Sequence, residues 1–533
     1  MASRVEQYDT VIVGAGFAGM YMLHMLRSMG MNSRCFEAGD DVGGTWYWNR
    51  YPGARCDIES VDYSYQFSDE LQQEWNWTER YAGQPEILAY ANHVADRFDL
   101  RRDIQFDCRI SSAHFDETRA RWQLSTTTGE TFEAQFCIFA TGCLSVPSKP
   151  EFAGLERFQG EVFHTGEWPH HGVDFSGKRV AVIGTGSSGI QAIPQIARQA
   201  ETLSVYQRSA TYSVPAHNQP MDPAFQSYIK ANYADYRARN QAQATTFGAR
   251  YPGPDVWAGE MTGQEQQKHL ETFWDIGGLF FTRTFGDLMV TPETNELAQD
   301  FVRAKIRAQI DDPAVAELLC PDSTIGCKRL CSDTDYFDTY NLPNVSLFDA
   351  STYPIEQITA NGISTSLGEE CFDILVFATG FDAMTGAMNR IDIQGRQGQM
   401  LKDKWTDGPK TLLGLQTAGF PNLFLITGPG SPSVLSNMIQ SIEQHVEWIA
   451  ELMQWMKDNN KTTVESKTSA EEEWMAHVAE IIGQTLYNSC DSWYRGANIE
   501  GKTKVFMALA DYPSYVAHCN SVAQQGYPGF SIE

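Results

Sequence analysis

Asp9-Thr10-Val11-Ile12-Val13-Gly14-Ala15-Gly16-Phe17-Ala18-Gly19 is the stretch on which the reading of the whole chain turns. A short β-branched run ends in a GxGxxG turn and continues as a helical pattern to about Gly30. Ser33-Arg34-Cys35-Phe36 then reads as a second strand, ending at Glu37. Strand, glycine turn, helix and strand with an acid at that distance is the dinucleotide-binding pattern, and each residue has a physical task. Gly14 makes the tight turn, Gly16 admits a pyrophosphate to the backbone, and Gly19 lets helix and strand pack closely. The phosphates then lie at the positive end of the helix. Glu37 accepts hydrogen bonds from ribose hydroxyls. The alternative, a glycine turn with no ligand, leaves that acid unexplained.

The pattern recurs. Arg179-Val180-Ala181-Val182-Ile183 leads into Gly184-Thr185-Gly186-Ser187-Ser188-Gly189 and a helix through about Ala200. At the position equivalent to Glu37 stands Gln207, followed by Arg208 and Ser209. A carboxylate would repel a 2′-phosphate and an arginine pairs with one, so the second unit is expected to take NADP(H) and the first FAD. A solvated surface charge is the competing reading of Arg208. Phe139-Ala140-Thr141-Gly142 and Phe377 to Asp382 each end an apolar strand in a small-residue turn and read as return crossings between nucleotide domains.

The expected fold is therefore α/β, with two interleaved Rossmann-like dinucleotide-binding domains. Residues 1–145 form the first part of the FAD domain and 381–533 its second part, with substrate and cofactor loops. The NADP domain comprises 146–218 and 327–380, separated by a helical insert, 219–326. Within the insert Pro223 to Arg239 and Asn295 to Ile310 keep helical spacing, as does Val434 to Met456 near the end of the chain. The insert reads equally as a lid or as scaffold.

Composition narrows the function. The 533 residues, 42% of them apolar, suffice for two or three cores. Forty Lys and Arg against 67 Asp and Glu, a net charge of −27, disfavour nucleic acid or an anionic membrane as partner. No apolar run approaches the ~18 residues of a membrane span, and Met1 to Gln7 is polar, so a soluble, cytoplasmic protein is expected. Eleven cysteines with no CxxC pair suit buried free thiols in a reducing compartment. Cys327 and Cys331 lack the companions of a zinc site, so no metal is expected. The absence of HExxH, GxSxG and CxxxxC leaves flavin chemistry fed by NADPH.

Two further segments sharpen this. Gly43-Gly44-Thr45-Trp46-Tyr47-Trp48-Asn49-Arg50-Tyr51-Pro52-Gly53-Ala54-Arg55-Cys56-Asp57 follows the first unit, and Phe158-Gln159-Gly160-Glu161-Val162-Phe163-His164-Thr165-Gly166-Glu167-Trp168-Pro169 precedes the second. They resemble the GGxWxxxx(Y/F)PGxxxD and FxGxxxHTxxW(P/D) signatures of the Baeyer-Villiger monooxygenases. The resemblance runs over essentially the whole chain and is strongest to the phenylacetone and steroid monooxygenase branch, then to the cyclohexanone monooxygenases. It implies that NADPH reduces FAD, that O2 forms a C4a-peroxyflavin, and that attack on a ketone gives an ester or lactone.

By that resemblance Arg329 is the catalytic arginine and Asp57 the acid that holds it. Lys328 and Arg208 grip the 2′-phosphate, with Ser209 beside them. Trp493 lies on a loop over the nicotinamide cofactor, or is edge packing, and His164 positions the domain joint without touching the reacting atoms. Gly44, Thr45, Trp46, Trp48 and Tyr51 line the flavin or pack near it. Ser433, Val434 and Leu435 belong to a loop beside the substrate, with Met438 just inside the next helix. An aryl or bulky cyclic ketone is the expected substrate, with no obligate protein partner and a monomer or weak homo-oligomer. The rivals are a flavin monooxygenase that oxygenates nitrogen or sulfur, and a non-catalytic flavoprotein.

Overall fold

The computed structural model describes residues 6–253, 256–505, 507–509 and 511–533; the polar stretch Met1 to Val5 lies outside them. The opening run forms β1 (Glu6–Val13), with Val11 and Ile12 both fully buried. Burial of successive residues is burial on both faces, as in the centre of a parallel sheet. α1 (Phe17–Ser28) crosses to β2 (Ser33–Phe36), α2 (Thr45–Trp48) follows, and β3 (Thr131–Phe139) pairs on the other side of β1. The second unit repeats the plan in β4 (Arg179–Ile183), α3 (Ser187–Ala197) and β5 (Thr202–Gln207), with β6 (Ile374–Phe377) beside β4.

Gly14 has φ +104°, and a Cβ there would lie 2.7 Å from the Ala140 carbonyl oxygen. The glycine turn thus runs over the small residues that end β3. Gly184 stands in the same relation to Ala378, which accounts for both alanine-threonine-glycine returns.

The first sheet runs Asp392–Gln394, Ile110–Asp116, Arg121–Thr126, β3, β1, β2, Ile104–Gln105, with Leu423–Leu425 also paired to β3. The second is parallel throughout: Val345–Asp349, β5, β4, β6, Glu161–His164. Strands arriving after residue 380 complete a sheet begun at residue 6, with the second sheet between them in the chain. The fold is α/β with two interleaved dinucleotide-binding domains and a helical insertion. Among the described residues no helix is long and apolar enough to cross a membrane.

Three sequence expectations need correction. Pro223 to Arg239 is two helices, Pro223–Ala231 and Tyr233–Gln241. Asn232 breaks it, because its side-chain amide donates to the Tyr228 carbonyl at 2.8 Å and takes the acceptor that a continuing helix would use. The helix expected from Val434 begins only at Met438, as α4 (Met438–Asp458), capped by the Asn437 side chain on the Ile439 N–H. Ser433–Leu435 is a separate 3-10 turn. The cysteines are not all buried thiols: Cys371 is exposed, Cys143 and Cys320 are half-buried, and Cys327 and Cys490 form a disulfide across 163 residues of sequence. Local spacing carries no trace of a pair so far apart.

α4 also carries a buried acid. Glu443, 1% exposed, accepts from the backbone N–H of Gln66 at 2.7 Å and of Phe67 at 3.0 Å. Burial pushes its carboxyl up to about 8, against the pull of those two bonds. A carboxyl raised in the folded state holds its proton more tightly there than in the unfolded chain. Stability is therefore full below pH ~4 and falls as pH rises through about 8. Glu443→Gln keeps both accepted bonds and removes the titration. Its Tm relative to the parent should climb by several degrees between pH 5 and pH 8.5 in thermal melts, and a pH-independent difference would show that this carboxyl does not carry the effect.

Candidate active site

Arg329 stands just ahead of the short strand Cys331–Asp333, and Asp57 closes the aromatic segment that follows β2. They meet as a bidentate pair: Nε to Oδ2 at 2.7 Å and Nη2 to Oδ1 at 2.8 Å, each side chain about one-fifth exposed. Nη1 donates to the Val434 carbonyl at 3.0 Å. That carbonyl is available because Val434 lies in the 3-10 turn ahead of α4, and not inside a helix where its oxygen would be taken. Burial disfavours the guanidinium charge, but Asp57, by charge and by hydrogen bond, together with Tyr494 holds Arg329 well above its ordinary value. The result is a permanent cation fixed by three distant segments, at residues 57, 434 and 494.

Around it an apolar cluster gathers Val434, Leu435, Met438, Met384, Ile482, Tyr487, Trp493 and Tyr494, with Cys143 and Leu144 at its margin. The sequence reading placed Val434, Leu435, Met438 and Trp493 here and missed Tyr494, which is buried and turned toward the arginine. Its only signal was adjacency to Trp493, and spacing does not tell one neighbouring aromatic from the other. Trp493 is half-buried, its ring 4.4 Å from that of Tyr494. Ser433 is fully buried, its hydroxyl directed to the Thr427 carbonyl at 3.4 Å.

The aromatic segment does two things. Gly44 approaches Gly16 so closely that a Cβ on it would lie 2.9 Å from the Gly16 Cα, so α2 starts against the first glycine turn. Thr45 is exposed there, Trp48 is half-buried, and Trp46 is buried with its indole N–H on the Tyr63 hydroxyl at 3.1 Å. The second half crosses to the other domain. The Tyr51 hydroxyl donates to Gln191 of α3 at 2.8 Å, and the Gln191 amide donates to the Arg55 carbonyl at 3.0 Å. Gly53, at φ +82°, has room for no side chain, since a Cβ would meet the Gln191 carbonyl oxygen at 2.3 Å. Tyr51, expected beside the flavin, thus serves as a bridge between the domains as well.

The two nucleotide units fit their groups. α1 and α3 begin at Gly16 and Gly186 with no side-chain cap, so their first N–H groups are left for a pyrophosphate. Beside the first, Glu37 is 5% exposed and accepts from the Ala15 N–H at 2.7 Å and the Gly39 N–H at 2.9 Å. Burial raises its carboxyl, and these bonds oppose the rise. At the second, the Thr185 hydroxyl donates to the Ser209 carbonyl at 3.3 Å, which fixes the end of β5 against the glycine turn, and the Ser187 hydroxyl lies 3.2 Å from the Cys331 sulfur. Ser187, Arg208 and Ser209 are exposed, Ser188 is half-buried, and Gly189 is buried under the turn. Lys328 is half-buried, its ammonium shifted down by burial and then by the charge of Arg208, against Asp322 and Asp491. Neither Arg208 nor Lys328 has a carboxylate within 4.0 Å among the described residues. The two cations lie close enough for Arg208 to act on the Lys328 charge, with Asp322 and Asp491 offsetting it from beyond 4.0 Å.

His164 ends the outermost strand of the second sheet. Its Nδ1 accepts from the Gly166 N–H at 3.0 Å, so the proton is on Nε2, which faces the Ser148 carbonyl at 3.2 Å and the Thr379 hydroxyl at 3.1 Å. Burial lowers its pKa, which favours the neutral ring. It ties the entry into the second domain to the return crossing out of it.

Residues 8–230 match the family model of flavin-binding monooxygenase-like proteins. The chain is 42% identical over 530 residues to the phenazine N-monooxygenase PhzNO1 of Lysobacter antibioticus, covering 98% of this chain and 97% of that one. It is 41% identical over 525 residues to a Baeyer-Villiger monooxygenase of Pseudooceanicola batsensis, covering 98% and 95%. A solved structure of oxidized steroid monooxygenase bound to NADP superposes with a TM-score of 0.94 at 49% identity, covering 99% of each chain. A chain with two such nucleotide units and a clamped arginine between them is a flavin-dependent oxygenase. It belongs to the Baeyer-Villiger monooxygenase family, and its two domains serve FAD and NADP(H).

Proposed function

We propose that the protein converts an aryl or bulky cyclic ketone into the corresponding ester or lactone, inserting one atom of O2 beside the carbonyl at the expense of NADPH. The observation that carries this reading is the Arg329–Asp57 pair, clamped at 2.7 and 2.8 Å against the Val434 carbonyl and an apolar cluster. When bound, NADPH supplies two electrons and FAD the oxygen-activating chemistry.

In this reading Gly14, Gly16, Gly19 and Glu37 hold the pyrophosphate and ribose of FAD, and Gly44 to Tyr51 wall the flavin side. Gly184 to Gly189 hold the NADP pyrophosphate, and Arg208, Ser209 and Lys328 its 2′-phosphate. Arg329 stabilises the negative charge that develops on the carbonyl oxygen under attack. It needs no proton transfer to do so, because it stays charged at any working pH. Asp57 keeps the guanidinium aimed, and Val434, Leu435, Met438, Trp493 and Tyr494 exclude water around the ketone. Ser433 supports the turn from beneath, and His164 holds the domain joint. The domain bounds given above, a cytoplasmic monomer or weak homo-oligomer, and small-molecule partners alone complete the reading.

A second reading, oxygenation at nitrogen, is favoured by the relative named a phenazine N-monooxygenase. One screen separates the two: NADPH consumption by the purified protein with aryl ketones, cyclic ketones and aromatic N-heterocycles, each with product identification. Ester formed in step with NADPH is the expected result. N-oxide with no ester would establish the second reading, and NADPH loss yielding only hydrogen peroxide would overturn both.

A further inference from the structure

The disulfide lies where the chemistry is. Cys327 is buried and immediately precedes Lys328 and Arg329; Cys490 immediately precedes Asp491, Ser492, Trp493 and Tyr494. The bond therefore joins, with Cα atoms 6.0 Å apart, the backbone that presents the two cations to the backbone that presents the residues facing them. Asp491 acts on the Lys328 charge, and Tyr494 acts on that of Arg329.

Besides the disulfide, the near end of this segment is held by Tyr494, buried in the apolar cluster and bonded to Arg329, and by the buried Ser492. Its backbone bonds are local: Arg495 and Ala497 N–H to the Ser492 carbonyl, and Gly496 N–H to that of Trp493. Among the described residues Asp491 pairs with Lys504 of the same loop alone, at 2.8 Å, with both side chains more than half exposed. The far end is fastened separately, by Lys502 on Asp382 at 2.6 Å and on the Ala383 carbonyl at 2.7 Å, and by Asn498 on the Phe381 carbonyl at 2.7 Å. Cleaving the disulfide removes the covalent tie at the near end and leaves the packing of Ser492 and Tyr494, with the Tyr494 bond to Arg329, to hold it. In a reducing compartment such a pair rests as two thiols, and a bond formed there is a conditional one.

We propose that Cys327 and Cys490 are a redox-operated positioning pair, whose disulfide clamps residues 491–495 over Lys328 and Arg329 and whose dithiol form loosens that clamp. The proposal rests on the assignment of NADP(H) to the second site. The oxidant is hydrogen peroxide, which this class of chemistry yields whenever NADPH and O2 are consumed without transfer to substrate (NADPH + H⁺ + O2 → NADP⁺ + H2O2). One thiolate attacks a peroxide oxygen and becomes a sulfenic acid as hydroxide leaves and is protonated to water. The second thiolate then displaces the sulfenic oxygen as water, closing the S–S bond. In sum two thiols and H2O2 give one disulfide and two H2O, and a dithiol reductant reverses it by exchange. Peroxide leaking from the site thus closes the loop that covers the site.

The test uses the full-length protein with FAD, prepared oxidised with one equivalent of hydrogen peroxide and reduced with dithiothreitol. Peptide mapping should show Cys327 linked to Cys490 in the first and both free in the second. The oxidised form should bind NADP⁺ about 3- to 10-fold more tightly in a direct titration. It should also resist proteolysis between residues 490 and 498, and release less peroxide per NADPH consumed. Cys490→Ser and Cys327→Ser should each match the reduced form and ignore dithiothreitol, and Cys371→Ser, at an exposed thiol outside the site, should keep the full response. Equal affinity and equal proteolysis in the two forms, or failure of peroxide to link the pair, would overturn the proposal. Loss of NADP⁺ binding in both forms while the proteolytic difference persists would instead overturn the cofactor assignment.

Discussion

Arg329→Ala is expected to leave FAD bound and to abolish ester formation, with a fall of at least about 10³-fold, since single donors aimed at a developing oxyanion are worth roughly 10²–10³ each. In the proposed reading the flavin is held by β1, its glycine turn and Glu37, away from Arg329, so the visible absorbance of the purified variant should match the parent. What the variant loses is a cation that makes two bonds to Asp57 and one to Val434. It also leaves Asp57 without its partner, and an unpaired, largely buried carboxylate adds its own repulsion to any negative charge nearby. Arg329→Lys separates charge from geometry, because an ammonium keeps the charge but cannot span both carboxylate oxygens. It should recover only a small part of the activity. Chromatographic detection of undiminished ester from Arg329→Ala would remove this residue from the chemistry.

Arg208→Ala should raise the KM for NADPH by one to two orders of magnitude, the equivalent of ~1.5–3 kcal/mol of charged hydrogen bonding, while hardly changing that for NADH. The selectivity follows from position: Arg208 is exposed at the end of β5, beside the second glycine turn, and near enough to Lys328 to act on its charge. NADH has no 2′-phosphate to lose. Steady-state kinetics with both cofactors decide the matter, and an equal loss for the two would show that Arg208 does not read the phosphate.

Much of this was legible in the residues because it is local. β1 and β4 fall where β-branched runs meet glycine turns, and the acid in one unit and the arginine in the other distinguish the two nucleotide units. The Arg329–Asp57 geometry could be expected through the family resemblance, but not its third bond, which depends on Val434 falling in a turn. That turn exists because Asn437 caps α4, which starts four residues later than apolar spacing alone suggests. The bridge from Tyr51 and Gly53 to Gln191, the disulfide, and Tyr494 are all long-range. Each is a meeting of segments that share no spacing, so only the closed fold displays them.

The interleaving of the two sheets also sets an order of assembly during synthesis. Residues 137–139 of β3 need Leu423–Leu425 as a neighbour, and that strand leaves the ribosome about 280 residues later, roughly 15–60 s at ordinary elongation rates. All five strands of the second sheet have emerged by Phe377. The nascent chain therefore finishes its middle before its beginning, and waits through that interval with an apolar strand edge uncovered, the state in which a holding chaperone has most to offer.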